Sequence, residues 1–432
     1  LSETGSNRRA GESRGKPTFL GAFSWALYDF ANTIYSMNIV TMYFAQWVVV
    51  DLGLEDIFYS ISFSGSMILV AVTAPILGAI ADARGRRLIF LFLFTDFTCV
   101  LTACIAGAAA APSVALAAIL GLALFCLANY SYGCSLVFYN SLLPTVSTGR
   151  TIGRVSGLGV GLGYAGAIVG LLLVMPFVVG KIPWFGLGRP AAFIPTAIFF
   201  ALFAVPVFIW VKEPAVKSKP TGFADGLKKV ARTLREVRKR PNVFRFLIAK
   251  LLYEDPIMTA IMFMAVYANE VMGMPDDVKI PLFIVSTTFA VCGSFVAGFT
   301  ADRFGAKKTL VATLIGWIAT FAVIAAAIHV WMLWVGGAMV GVFLGATWTA
   351  ARPFYTSLVP RDELGEYFGL YALSGKAAAI IGPLVWGAVV IAAGGLGPDK
   401  YRIAVLSLAA FSAIGLALLI GVKSASSHAT TA

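Results

Sequence analysis

The chain has 432 residues, 59% of them hydrophobic and only 12% charged, and 33 Lys and Arg against 21 Asp and Glu give a formal net charge of +12. A charged fraction near half the usual quarter, with a mean hydropathy of +0.86, excludes a soluble enzyme and a nucleic-acid-binding domain, whose basic patches stand on soluble surfaces. A membrane span needs about 20 mostly apolar residues to cross about 30 Å of hydrocarbon, and this chain is built from such runs.

The first 18 residues are polar and basic, with no cleavable signal pattern. Apolar runs follow at 20–50, 57–81, 88–110, 114–143, 152–179 and 191–211, then at 243–271, 280–301, 309–328, 332–358, 366–393 and 402–422. Only helices and closed barrels satisfy every backbone polar group in lipid, and these runs are about twice the length of a barrel strand. They predict an all-α, polytopic membrane protein with twelve transmembrane helices. Its parts are a tail 1–18, a six-helix half 19–212, a connector 213–242, a second six-helix half 243–422 and a tail 423–432.

The halves read as copies. Gly78, Asp82, Gly85, Arg86 and Arg87 after the second run, and Gly298, Asp302, Gly305, Lys307 and Lys308 after the eighth, both fit G-x-x-x-D-x-x-G with basic residues following. Span four ends Phe138-Tyr139-Asn140-Ser141-Leu142-Leu143-Pro144 and span ten ends Phe354-Tyr355-Thr356-Ser357-Leu358-Val359-Pro360; span five opens Gly153-Arg-Val-Ser-Gly157 where span eleven opens Gly365-Glu-Tyr-Phe-Gly369. The offsets, all close to half the chain length, indicate parallel repeats about an axis along the membrane normal. In both loops the Asp is placed to cap a neighbouring helix N-terminus and to pair with Arg86, Arg87 or Lys307, Lys308. Asp96 in span three is expected to tie back to the loop at Arg84–Arg87.

Charge orients the chain. Lys and Arg crowd the tail, the loops after even-numbered spans and the connector, while the opposite loops hold only Lys181, Arg189, Lys279, Lys400 and Arg402. This positive-inside pattern places both termini in the cytoplasm. In the connector, Phe223, Leu227, Val230, Leu234 and Val237 recur every three or four residues among Lys and Arg, predicting a basic amphipathic helix on the inner leaflet. All five cysteines fall inside spans and read as small buried apolar residues, with no C-x-x-C spacing. With only two histidines and no G-x-x-x-x-G-K-[ST], neither a metal, a cofactor nor ATP-driven transport is expected.

Ionisable residues in mid-span cost about 2.5–3.5 kcal/mol each and persist where they face a cavity or a partner. At about 1.5 Å per residue, Asp29, Glu254, Asp255 and Lys376 lie roughly 13–17 Å from the cytoplasmic end, and Arg352 about 9 Å. Asp29 shares a helix face with Trp25, Asn32 and Ser36. Glu254 has Lys250 four residues away, and the two either neutralise each other or leave Glu254 for coupling. Asp255 lacks a local partner and precedes Pro256, which should break or kink the helix. Lys376 needs a counter-ion, from the first half or from the substrate. Tyr28 and Tyr371 offer walls and hydrogen bonds. The glycines of span five, from Gly157 to Gly170, suit helices sliding in close contact.

The duplicated loop resembles the hallmark loop of the major facilitator superfamily. More narrowly, Trp25-Ala-Leu-Tyr28-Asp29-Phe-Ala-Asn32, the Gly153–Tyr164 segment and Phe368-Gly369-Leu-Tyr371-Ala-Leu-Ser374-Gly375-Lys376 resemble the vacuolar-effluxer-like branch, whose eukaryotic members are associated with returning amino acids from the vacuole after autophagy. The resemblance implies a gating role for the loops and a central cavity ringed by spans one, four, seven and ten. The expected function is secondary transport of a small zwitterionic solute, an amino acid first, by alternating access with proton coupling. The alternatives are an amphipathic lipid-like or drug-like substrate, and a non-transporting sensor or scaffold. The chain is expected to work as a monomer in a prokaryotic plasma membrane, or alternatively a vacuolar one, with membrane lipids and protons as its other partners.

Overall fold

This computed structural model describes residues 18–54, 56–213, 232, 237–274 and 276–423, with the side chains at 56–57, 265, 276–277, 279–280, 376–381 and 383–384 outside the description. Both tails, except Thr18 and Lys423, and most of the connector lie outside the described residues, including the predicted amphipathic helix.

Among the described residues, twelve helices of 17 to 32 residues follow one another up and down. The first half holds α1 (Phe19–Tyr35), α2 (Asp56–Arg84), α3 (Arg87–Ala109), α4 (Val114–Ser141), α5 (Ile152–Val178) and α6 (Phe193–Trp210). The second holds α7 (Pro241–Met272), α8 (Asp276–Phe304), α9 (Ala306–Ala325), α10 (Val330–Leu358), α11 (Leu364–Ala392) and α12 (Asp399–Ile420). The basic loops all fall at one end of the bundle, here called the loop end. Among the described residues, nine helices are each long and apolar enough to cross a membrane; the other three, α1, α7 and α11, carry the predicted mid-span charges Asp29, Glu254, Asp255 and Lys376.

The pseudo-symmetry is visible in packing. In the first half α1 packs on α5 and α6, α3 on α4 and α6, and α2 on α4; in the second, α7 packs on α11 and α12, α9 on α10 and α12, and α8 on α10. Between halves, α2 meets α11 as α8 meets α5, and α4 meets α11 as α10 meets α5.

Local chemistry sets the boundaries. The Thr18 hydroxyl caps α1 by accepting from the Gly21 amide at 3.1 Å. Gly85 and Gly305, at φ 62° and 98°, let the chain turn sharply after α2 and α8, a backbone region closed to most side chains. Span one departs from the single helix expected. At Ser36 α1 passes into π-helical turns over Ser36–Tyr43 and again over Trp47–Asp51. There the Asn38 side chain donates to the Ile34 carbonyl and the Tyr59 hydroxyl donates to that of Val40. Pro256 does not break α7, which runs through it; proline is tolerated in membrane helices whose neighbours re-satisfy the freed backbone. The cysteines also differ from expectation: Cys99 and Cys134 are buried, but Cys104 and Cys292 are exposed, where a small apolar thiol can face lipid.

Close backbone crossings hold the second half together. A Cβ added at Gly345 of α10 would overlap the Ala290 carbonyl oxygen of α8, and one at Gly341 would overlap that of Ser286. Because the obstacle is backbone, no rotamer change relieves it. Gly345→Val is therefore expected to cost at least about 1–3 kcal/mol and to lower the thermal unfolding midpoint in detergent, whereas Gly387→Ala, with open space around it, leaves the midpoint unchanged or slightly raised.

Candidate functional site between the halves

Asp29 stands about 15 Å into α1, and Arg352 about 9 Å into α10, from the loop end. They meet across the halves: Arg352 Nη1 lies 3.1 Å from Asp29 Oδ2, with side chains 15% and 9% exposed. Asn32, one turn along α1, donates Nδ2 to Asp29 Oδ1 at 2.9 Å and so fixes the carboxylate. Its own Oδ1 accepts from the Tyr132 hydroxyl at 3.4 Å. The guanidinium carbon of Arg352 sits 5.6 Å from the Tyr139 ring centre. Tyr139 in turn stacks on Trp25, with centroids 4.3 Å apart. Tyr132 and Tyr164 lie within electrostatic reach of both charges. The Ser156 hydroxyl of α5 donates to the Thr349 carbonyl of α10, adding a second polar link between halves.

Glu254 and Asp255 have contacts of their own. Lys250 and Glu254 are buried and ion-paired one turn apart on α7, with Lys250 Nζ 4.1 Å from the Tyr371 ring centre. Of the two roles open to Glu254, the local pairing is the one seen; Tyr371 stands over Lys250 and within electrostatic reach of both Glu254 and Arg352. Asp255 has a partner after all: its Oδ1 accepts from the Gly382 amide of α11 at 2.7 Å. Tyr28 points into the first half, bonded to the Thr95 hydroxyl at 2.7 Å and fully buried; one residue along a helix turns the side chain by about 100°, away from the face of Asp29. The Lys376 side chain lies outside the described residues. Of the expected midplane charges, Asp29 thus enters a cross-half pair while Glu254 and Asp255 make separate contacts of α7.

At the loop end, two carboxylates cross the interface in matching fashion. Asp82 of α2 accepts from the Gly365 and Glu366 amides at the start of α11, both at 3.0 Å, and pairs with Arg87 at 2.6 Å. Asp302 of α8 accepts from the Gly153 and Arg154 amides at the start of α5, at 2.6 and 3.0 Å. Its ion partner is Arg154 Nε at 2.8 Å, which corrects the pairing expected with Lys307 or Lys308. Those lysines open α9 and project elsewhere: Lys307 Nζ donates to the Ile420 carbonyl of α12. Arg87 also donates to the Arg361 carbonyl across the interface. Gly78 and Gly298 permit these caps, because a Cβ at Gly78 would overlap the Gly365 carbonyl oxygen and one at Gly298 would stand 2.8 Å from that of Gly153. The glycines of α5 divide between two neighbours: Gly157 and Gly161 meet Ser294 of α8, while Gly159, Gly163, Gly166 and Gly170 meet α1.

Asp96 does not reach the first loop; it is exposed on α3. Glu213, not anticipated, does so: its carboxylate accepts from the Arg87 and Leu88 amides at 2.9 and 2.8 Å and caps α3. Burial holds this carboxyl above its ordinary value, although both amides pull the other way.

Comparison with known proteins agrees with this architecture. The profile of the family described as "Vacuole effluxer Atg22 like" matches residues 55–432. The chain is similar to the uncharacterized MFS-type transporter YxiO of Bacillus subtilis, at 25% identity over 92% of this chain and 93% of that protein. It is also similar to Autophagy-related protein 22-1 of Penicillium rubens, at 25% identity over 62% of this chain and 49% of that protein. Among solved structures, a bacterial homologue of the iron transporter ferroportin in an outward-facing state superposes with TM-score 0.71 at 14% identity, covering 94% of this chain and 99% of that one. The Escherichia coli fucose:proton symporter gives TM-score 0.71 at 16% identity, covering 96% and 100%. At such identities the likeness is one of fold.

Removing one crossing carboxylate should loosen the loop end. Asp82→Asn or Asp302→Asn loses a charge-assisted contact of about 1.5–3 kcal/mol. Spin labels at Thr148 and Asp362, on opposite halves, are expected to show a longer-distance population raised about tenfold or more in either variant, and further in the double variant. Unchanged distance distributions would deny the caps their role.

Proposed function

Given that the chain belongs to the Vacuole effluxer Atg22 like family and is a membrane transporter of the major facilitator type, we propose that it moves a small zwitterion, an amino acid first, by proton-coupled alternating access. The observation that carries this reading is the Asp29–Arg352 pair spanning the two halves. A buried pair cannot simply be pulled apart, since leaving one partner uncompensated costs about 3–5 kcal/mol. A zwitterion entering between them solves the problem: its carboxylate takes Arg352, its ammonium takes Asp29, and neither charge is stranded. A proton on Asp29 likewise frees Arg352 for an anionic group, which gives a route from proton binding to substrate binding. Asn32 and Tyr132 hold the carboxylate in place for either exchange. One acid facing one base suits a zwitterion better than a metal ion, and among the described residues no three His, Cys, Asp or Glu gather as a metal site.

The charge asymmetry of the loops supports a cytoplasmic loop end. With Asp82 and Asp302 in place, the halves are joined at that end, so the pair would be approached from the opposite side. The near-complete coverage of a bacterial relative, against about half of a fungal one, supports a prokaryotic plasma membrane.

A thermal-shift screen against amino acids at high concentration identifies the cargo, since binding raises apparent stability by mass action. With that cargo in proteoliposomes, Arg352→Ala is expected to weaken binding at least about thirtyfold, the loss for a truncated buried charge pair, and to abolish flux. Asp29→Asn is expected to retain substrate exchange but lose accumulation driven by a pH gradient. Normal accumulation in Asp29→Asn would remove the proton from the mechanism, and normal flux in Arg352→Ala would remove the site.

A further inference from the structure

Lys307 and Lys308 take no part in the Asp302 cap, and among the described residues neither is paired with a carboxylate. What they adjoin is a pair of grooves on either side of α9. One, of about 440 Å³, runs between α8 and α9 over a floor from α10, from Phe304 and Lys308 down to Gly293 and Val342. The other, of about 410 Å³, runs along α9 from Lys307 and Lys308 to Ile315, against Ile420 at the end of α12. Lys308 and Ala312 belong to both, so they form the ridge between them.

The first groove exists because small residues meet there. Gly293 brings α8 against the backbone of Val342, and Ala297, Ala312 and Ala346 leave the space above the contact unfilled. From Phe304 to Gly293 is eleven residues, about 17 Å of helix rise. That is close to half of the roughly 30 Å hydrocarbon thickness, so the groove spans one leaflet, from headgroup level to mid-bilayer. Its walls are apolar and face outward, where Val296 and Phe304 are more than half exposed. At its mouth the charge is all of one sign. Lys307 and Lys308 are joined by Arg303, whose guanidinium carbon lies 5.5 Å from the Phe304 ring centre. The loop's one carboxylate, Asp302, is taken up by Gly153 and Arg154.

We propose that one anionic diacyl phospholipid of the loop-end leaflet seats here, an acyl chain in each groove astride Ala312 and its phosphate on Lys308 with Arg303 and Lys307 beside it. Two grooves, about 17 and 12 Å long, that share Lys308 and Ala312 fit the two chains of a diacyl lipid, and cations without a carboxylate partner fit an anionic headgroup. The site is independent of the cargo reading, since it faces lipid and not the space between the halves.

The test is native mass spectrometry of the full chain released from micelles containing dioleoyl phosphatidylglycerol, dioleoyl phosphatidylcholine, or dioleoyl phosphatidylglycerol with millimolar inorganic phosphate. The expected result is one retained phosphatidylglycerol, no comparable retention of phosphatidylcholine, and no displacement by phosphate. Lys308→Gln is expected to lower retention about fivefold, the share of one lysine at an anionic surface. Ala312→Trp, on an exposed position, is expected to abolish it by filling the ridge, and serves if Lys308→Gln proves poorly folded. Equal retention of the two lipids, displacement by phosphate, or unchanged retention in the variants would each overturn the proposal.

Discussion

The arrangement of the two halves depends on the unfinished N-termini of α5 and α11. A helix leaves its first four amides without intrahelical partners, and no side chain of the preceding segment caps either of these two. The missing acceptors come from the opposite half, as Asp302 and Asp82. Each carboxylate also meets the positive end of a helix dipole and an arginine, so each contact draws on three favourable terms. Both caps lie at the end of the bundle, the Asp302 one reached by water through Arg154, whose side chain is 58% exposed, and the Asp82 one shielded, its carboxylate fully buried. Their net contribution is a few kcal/mol, enough to bias a conformation and small enough to release it.

The Asp29–Arg352 pair obeys a different constraint. It lies deeper, is mostly shielded, and is bound to Asn32 on one side and stacked over Tyr139 on the other. Water is a poor substitute at that depth, and separation requires a group that compensates each charge. The interface thus has two layers that cross the halves, an outer one that solvent reaches through Arg154 and an inner one that, on the proposed reading, a ligand or a proton opens. On the proposed reading the outer contacts do not release the halves while the inner pair holds, an order that suits a transporter that must not leak.

Much of this was legible in the letters. Among the described residues, eleven of the twelve apolar runs became helices to within a few residues, span one alone departing, because the hydrocarbon thickness leaves few alternatives. Both capping acids and both glycines that receive them stood out as repeats, but the ion partner of Asp302 did not: Lys307 and Lys308 are nearer in sequence, while α9 carries them away and Arg154 arrives on another helix. Depth along a helix located the charges without pairing them. Lys250 with Glu254 followed from a four-residue spacing, whereas Asp255 found a backbone amide at Gly382, which no residue type announces. Tyr28 shares the depth of Asp29 but not its face. The π-helical turns beyond Ser36 left no mark, since they arise from side-chain bonds to carbonyls that helical periodicity does not encode.

Hydrogen exchange at single amides tests the coupling between the two layers most directly. In wild-type protein in nanodiscs, the Gly153, Arg154, Gly365 and Glu366 amides should be protected together. In Arg352→Ala all four should exchange faster although the substitution lies well inside the bundle, while the Arg87 and Leu88 amides, held by Glu213 within the first half, should not change. Unaltered protection of the four amides in Arg352→Ala would contradict the account, because the inner pair would then have no hold on the interface.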